Sequence, residues 1–198
     1  MATVKKNNTK VAKREASTLK YIDTLQDVNS KLCVIRLDLA YKKPYSNDIS
    51  VDEANKDFKR MLNNSRSNSI FDDMVGYVCK REYTQDKGVH FHTLFFYNGQ
   101  KVKNDKHKGD ELGQYWTERI TEGRGSMYNC NRNTYKERGI GMLNYDDTKK
   151  REYLNKSLSY LCKDDENQAI GESGVRELIR GTMPKGKIKS GRPRKNEE

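Results

Sequence analysis

Residues 74–98, MVGYVCKREYTQDKGVHFHTLFFYN, hold two runs that read as strands, MVGYVCKREYT (74–84) and GVHFHTLFFYN (88–98). Both are rich in valine, threonine and aromatic residues, and the Gln-Asp-Lys-Gly between them is turn chemistry. A tight antiparallel hairpin follows. Two of the chain's three histidines, His90 and His92, sit on its second arm among Val89, Phe91, Leu94, Phe95 and Phe96. Strand residues two apart share a face and lie roughly 7 Å apart, so both imidazoles address one point.

Turn length decides what the first arm adds. With a three-residue loop Asp86-Lys87-Gly88, in which Gly88 takes the left-handed conformation, even-numbered residues face even-numbered ones and Glu82 lies opposite His92. A loop of Gln85-Asp86-Lys87 shifts the register by two and keeps that parity. A two- or four-residue turn sends Glu82 to the other face. With three, two imidazoles and a carboxylate converge and leave positions open, which suits Mg²⁺ or Mn²⁺ acting on a phosphate. The plainer alternative is a pair of hydrogen-bonded histidines on a half-exposed sheet; the bulky apolar flanks and Glu82 favour the metal. A structural zinc site fits less well, because Cys79 has the wrong parity. His107 falls in the lysine-rich KVKNDKHKGD (101–110) and reads as a solvated loop residue.

Outward from the hairpin, KLCVIRLDLAY (31–41) alternates as a strand, with Cys33, Ile35, Leu37 and Leu39 on one face and Arg36 and Asp38 on the other. Arg36 and Asp38 are placed to contact DNA or orient a ligand, or equally to form a simple salt bridge. SVDEANKDFKRMLNN (50–64) is a helix capped by Ser50, with Glu53 at the capping-box position. Residues 12–28 read as a short helix, 109–122 and 146–165 as two more, and 125–131 and 139–145 as two further strands. From the first strand onward the order is β-α-β-β-α-β-β-α. That predicts an α+β class: a central antiparallel sheet of about five strands, helices packed on one face, the other face open for a ligand.

The 146–165 helix carries YLNK (153–156) and YLCK (160–163), each a tyrosine with lysine three residues on. Seven residues is almost two turns, so Tyr153 and Tyr160 share a face with Lys156 and Lys163 beside them, while Leu154, Leu158 and Leu161 form the adjacent buried stripe. Tyrosine is a weak nucleophile at its free pKa of about 10; a nearby ammonium favours the phenolate. Tyrosines at a helix boundary are also common without chemistry.

The 198 residues carry a net charge of +11, with 33% hydrophobic and 34% charged residues. The charge is concentrated at the ends: +5 over 1–20 and +6 over 181–195, leaving +2 for 21–180. A near-neutral body with basic arms fits a polyanion binder. Lys185, Lys187, Lys189, Arg192, Arg194 and Lys195 are the candidate DNA contacts of the C-terminal arm, joined by Arg36 on the sheet. SGRPRK (190–195) is similar to an AT-hook, with Ser190 where the first arginine of the core is expected; an unspecific basic arm explains it equally well. No apolar run reaches the roughly 20 residues that span a bilayer, and the N-terminus lacks a signal peptide's apolar stretch, so a cytoplasmic protein is expected. The four cysteines are far apart and read as reduced, buried thiols.

Histidine–bulky residue–histidine on a strand, followed by a Tyr-x-x-Lys helix, resembles the HUH endonucleases: rolling-circle replication initiators, relaxases and related transposases. YVCKREYTQDKGVHFHTLFF (77–96), the helix with QYW (114–116), SLSYLCK (157–163) and GTMPKGKIKSGRPRK (181–195) look like the YagK/YfjJ domain family, also called inovirus replication-protein-like. The resemblance implies an RRM-like sheet and nicking of single-stranded or hairpin DNA at a replication origin. It also implies metal bound by His90 and His92, and a 5′-phosphotyrosine link at Tyr160 that frees a 3′-OH. The second unit leaves Tyr153 as an alternative nucleophile. A host helicase is the expected partner for unwinding. The division that follows is a basic N-terminal arm (1–28), an HUH-type catalytic domain (29–165) and a basic, largely disordered tail (166–198). The competing expectation is a non-catalytic DNA-binding or regulatory protein on the same fold; an RNA-binding sheet would need stacking aromatics on the open face.

Overall fold

The computed structural model describes residues 2–163 and 178–184. In chain order it contains α1 (Ala2–Val28), β1 (Lys31–Tyr41), α2 (Val51–Asn63), β2 (Met74–Thr84), β3 (Gly88–Asn98) and α3 (Asp105–Tyr115), which runs into a π-helical turn over Trp116–Ile120. There follow β4 (Gly125–Asn129), β5 (Gly141–Asn144), α4 (Thr148–Cys162) and β6 (Leu178–Arg180). The strands form one sheet of order β4-β1-β3-β2-β6, and every pairing is antiparallel. β4 and β5 share the outer edge of β1: β4 pairs with Leu37–Tyr41 and β5 with Lys31–Val34.

Strand alternation divides the core in two. Cys33, Ile35, Leu37 and Leu39 of β1 and Phe91, Phe95 and Tyr97 of β3 point to one face, where Phe58 and Met61 of α2 and Leu112 and Trp116 cover them. The other face changes character along its length. At one end Leu32, Val34, Val78, Leu94 and Phe96 are apolar, and α1 (Tyr21, Ile22, Leu25) and α4 (Leu154, Leu158, Leu161) bury them. At the other end the same parity gives Arg36, Asp38, Glu82, His90 and His92. α2 and α3 thus make the expected helical layer, and α1 and α4 add a second cover over the apolar half of the opposite face. The polar half is partly covered: Lys80 and His90 are buried and Arg36 and Asp38 half-exposed, and the buried charges there are paired with one another.

Four expectations change. The sheet has six strands, since LIR (178–180) leaves the expected tail to pair with β2, Val78 opposite Arg180 and Lys80 opposite Leu178. Leu178 and Ile179 each pack on one of the two apolar clusters, which holds so short a strand in place. α1 is not a short helix on a detached arm: Tyr21, Ile22 and Leu25 are fully buried. His107 belongs to the first turn of α3, which begins at Asp105 because the Asn104 side chain caps it by accepting from the His107 backbone N–H. The hairpin loop is Gln85-Asp86-Lys87, with Thr84 opposite Gly88. Gly88 has φ +66°, and a Cβ there would lie 2.2 Å from the Ser46 carbonyl oxygen, so both conformation and space demand glycine.

Candidate metal centre

The observed loop places Glu82 opposite His90 and Lys80 opposite His92, one pair from the first expected register and with the same parity. On the far side of β3, Asp38 lies opposite His92. Glu82, His90 and His92 therefore share a face, and one ligand atom from each falls within 4.8 Å of the others. Glu82 Oε2 is 3.5 Å from His90 Nε2 and 3.2 Å from His92 Nε2.

The other nitrogen of each ring is already committed. His90 Nδ1 is 3.0 Å from the Gly88 carbonyl oxygen, and His92 Nδ1 is 2.8 Å from Asp38 Oδ1. A carbonyl and a carboxylate can only accept, so Nδ1–H donates in both rings and Nε2 is the atom left facing Glu82, where it donates to the carboxylate while protonated and offers its lone pair to an ion that displaces that proton. This is how protein metal sites orient histidine ligands. Neighbouring ligands around an ion bonded at about 2.1 Å stand roughly 3 Å apart, so the spacing about Glu82 accepts a small dication with little adjustment. The donor set of two imidazoles and one carboxylate fits a divalent ion.

The electrostatics agree. Hydrogen bonds from His90 and then His92 hold the Glu82 carboxyl well below the usual range against the opposing effect of burial. Burial lowers Asp38's tendency to ionise, but the His92 hydrogen bond and charge win and its pKa falls. For His92, burial opposes the charged form, yet hydrogen bonds to Asp38 and Glu82 push its pKa up to about 9.

Lys80 is the functional neighbour that sequence reasoning missed. Its side chain is 1% exposed and its Nζ lies 2.7 Å from Glu82 Oε1. One Glu82 oxygen is thereby tied to Lys80 and the other is turned to the imidazoles. Lys80 shares Glu82's parity on β2, which was legible, but its burial was not. Asp38 bonds to His92 and lies 3.7 Å from Arg36 Nε.

The two Tyr-x-x-Lys units differ. Lys156 Nζ is 2.9 Å from both Glu137 carboxylate oxygens and 5.4 Å from the centre of the Tyr153 ring, so this pair braces the loop before β5. Tyr160 is 61% exposed in the last turn of α4, with Lys163 at the C-cap. Arg151 and Ser159 bond to α1 through Asp23 and Glu15, so helical geometry turns Tyr153 and Tyr160 to the flank away from α1. Cys162, the final residue of α4, is fully buried. Among the described residues, no hydrogen bond joins Tyr160 to the Glu82–His90–His92 cluster. Lys185, Lys187, Lys189, Arg192, Arg194 and Lys195 lie outside the described residues.

Compared with family models, with curated proteins and with solved structures, the chain finds no match in any of the three. No helix among the described residues is long and apolar enough to cross a membrane.

Proposed function

We propose that the protein is a metal-dependent endonuclease and strand transferase of the HUH type, acting on single-stranded or hairpin DNA to initiate rolling-circle replication. The observation that carries this reading is the Glu82–His90–His92 cluster, with both Nδ1 atoms tied back, on the polar half of a sheet face whose apolar half the Tyr160 helix covers. A divalent ion of the Mg²⁺ or Mn²⁺ class held there supplies Lewis-acid polarisation of a phosphodiester. Glu82, His90 and His92 hold it, Asp38 fixes the His92 ring and Lys80 fixes Glu82. The Tyr160 oxygen, its proton lost to solvent, attacks phosphorus in line. The P–O3′ bond breaks, leaving a 3′-OH and a 5′-phosphate esterified to tyrosine, and Lys163 offsets the developing charge. Tyr160 is preferred to Tyr153 because Lys156 is already paired with Glu137.

The exposed phenol, free of any bond to the cluster, favours one other reading, a DNA-binding module that does not cleave. Incubating the full chain with Mn²⁺ and end-labelled single-stranded DNA of randomised sequence separates the two on a denaturing gel. Wild type should give a covalent adduct and Tyr160→Phe none, with DNA binding unchanged. An adduct that survives Tyr160→Phe and disappears in Tyr153→Phe moves the nucleophile. An adduct in neither wild type nor variants sinks the enzyme and leaves the module.

A further inference from the structure

Several exposed tyrosines are unexplained by the cleavage chemistry. Tyr128 on β4 is 56% exposed and Tyr135, in the loop after it, 42%. Rigidly held aromatic surface without a cover is characteristic of a place where something docks. Both rings are held. Asn133 Nδ2 donates to Tyr128 Oη at 2.6 Å and lies 3.5 Å from Tyr135 Oη, so one side chain joins the two phenols.

The loop beneath them is pinned to the scaffold through Asn131, which is fully buried. Its Nδ2 donates to the Val34 carbonyl at 2.9 Å and to Asp105 at 2.7 Å, and its Oδ1 accepts from the Arg36 backbone N–H at 2.8 Å. A platform anchored at its base presents its rings in one arrangement and loses little freedom when a ligand arrives.

Register fixes where the platform stands. Tyr128 is the β4 partner of Asp38, and Asp38 is the β1 partner of His92. The three lie in one row on one face of the sheet. At about 4.8 Å per strand, Tyr128 is roughly 10 Å from His92 along that row, the reach of a nucleotide from its phosphate to the base of a neighbour. We infer that Tyr128 and Tyr135, locked together by Asn133, form a stacking shelf for an unpaired base of the strand whose phosphate lies at the metal centre. The inference rests on the function proposed above. A π-face accepts any base, so the shelf contributes affinity and posture rather than sequence choice. The exposed Lys136 beside Tyr135 supplies a cation for the backbone of the same strand.

The test is fluorescence anisotropy with the full chain in EDTA, on labelled oligothymidylate and on an abasic oligonucleotide of equal length. Wild type should bind oligothymidylate more tightly. Tyr128→Ala and Tyr128→Leu should weaken oligothymidylate binding by about 5- to 150-fold and leave abasic binding unchanged, whereas Tyr128→Phe, which keeps the ring, should retain the base preference. The leucine variant keeps bulk at the site in case alanine perturbs the strand. Equal wild-type affinity for both probes, a variant that weakens both alike, or a variant that weakens neither overturns the shelf. Wild-type adduct formation in Mn²⁺, read separately, decides the enzyme: adduct without base preference removes only the shelf, and base preference without adduct removes only the cleavage.

Discussion

Asp38→Asn isolates the outer support of the metal centre. The substitution keeps the side chain's shape and its Oδ1 acceptor 2.8 Å from His92 Nδ1 but removes the charge. Losing such a partner of a histidine ligand costs about 10- to 100-fold in metal affinity, or roughly 1.4–2.7 kcal/mol. Asparagine can still accept, and the Asp38 side chain is 31% exposed, so screening adds to the discount. Asn should therefore fall near 10-fold, and Ala, which leaves Nδ1–H without its acceptor, nearer 100-fold, on the same scale. The loss must also depend on pH. With its pKa raised to about 9, His92 carries a proton below that pH, and an ion has to displace it. Apparent wild-type affinity then falls as pH drops below 9, by up to about tenfold per unit. Removing the Asp38 charge lowers that pKa and relieves the competition, so the penalty of Asp38→Asn should be largest near pH 9 and shrink towards pH 7. Mn²⁺ titration by calorimetry at both pH values measures it. Wild-type affinity in both Asn and Ala variants, or a penalty that grows as pH falls, would refute the assignment of His92 and its partner.

Gly88→Ala forces a Cβ into φ +66° against the Ser46 carbonyl and should lower stability by about 1–3 kcal/mol in chemical denaturation; an unchanged midpoint would mean the turn is not as described. Lys80→Met leaves Glu82 without its buried partner and should cost about 3–5 kcal/mol without metal. Mn²⁺ should raise the melting temperature of that variant more than that of wild type, because the ion takes over the neutralising charge; an equal rise would count against the coupling. Deleting residues 185–198 should make the slope of log DNA affinity against log salt shallower by about 0.7–0.9 for each phosphate that the tail neutralises. An unchanged slope would mean that the lysines and arginines there do not touch DNA.

The centre of this fold was legible because its order is local. β1, β2 and β3 are each eleven-residue runs rich in apolar and aromatic residues, and the glycine-ended turn fixes parity whichever three-residue loop forms. Parity alone brings Glu82 to the histidines, so the shift from a His92 to a His90 partner left the cluster intact. Ser50 and Leu154, Leu158 and Leu161 likewise declared their helices. What escaped is non-local. Three residues of β6 carry no periodicity of their own and exist through pairing with β2. Lys80 reads as a solvated strand residue until α4 and β6 close over that part of β2. α1 looked like a charged arm because its apolar side, Tyr21, Ile22 and Leu25, occupies only the final turns. Asn131 gave no cue at all, since an asparagine in a loop is ordinary and its burial depends on three separate elements meeting.

Before any ion arrives the two carboxylates of the site already have cations beside them, Lys80 against Glu82 and both His92 and Arg36 against Asp38. A dication that displaces the His92 proton still adds positive charge to this half-buried place, where the two carboxylates remain matched by Lys80 and Arg36. A phosphodiester supplies the missing anion, and the ion in turn offsets the phosphate. The two ligands therefore bind as linked partners: whatever factor the strand adds to metal affinity, the metal must add to strand affinity. Such a protein holds metal loosely while it searches and tightly only once a strand is seated. The same Mn²⁺ titration repeated with a saturating, uncleavable phosphorothioate oligonucleotide should show the ion binding more tightly. Loading of the ion is then a report on occupancy by DNA rather than a standing property of the free chain.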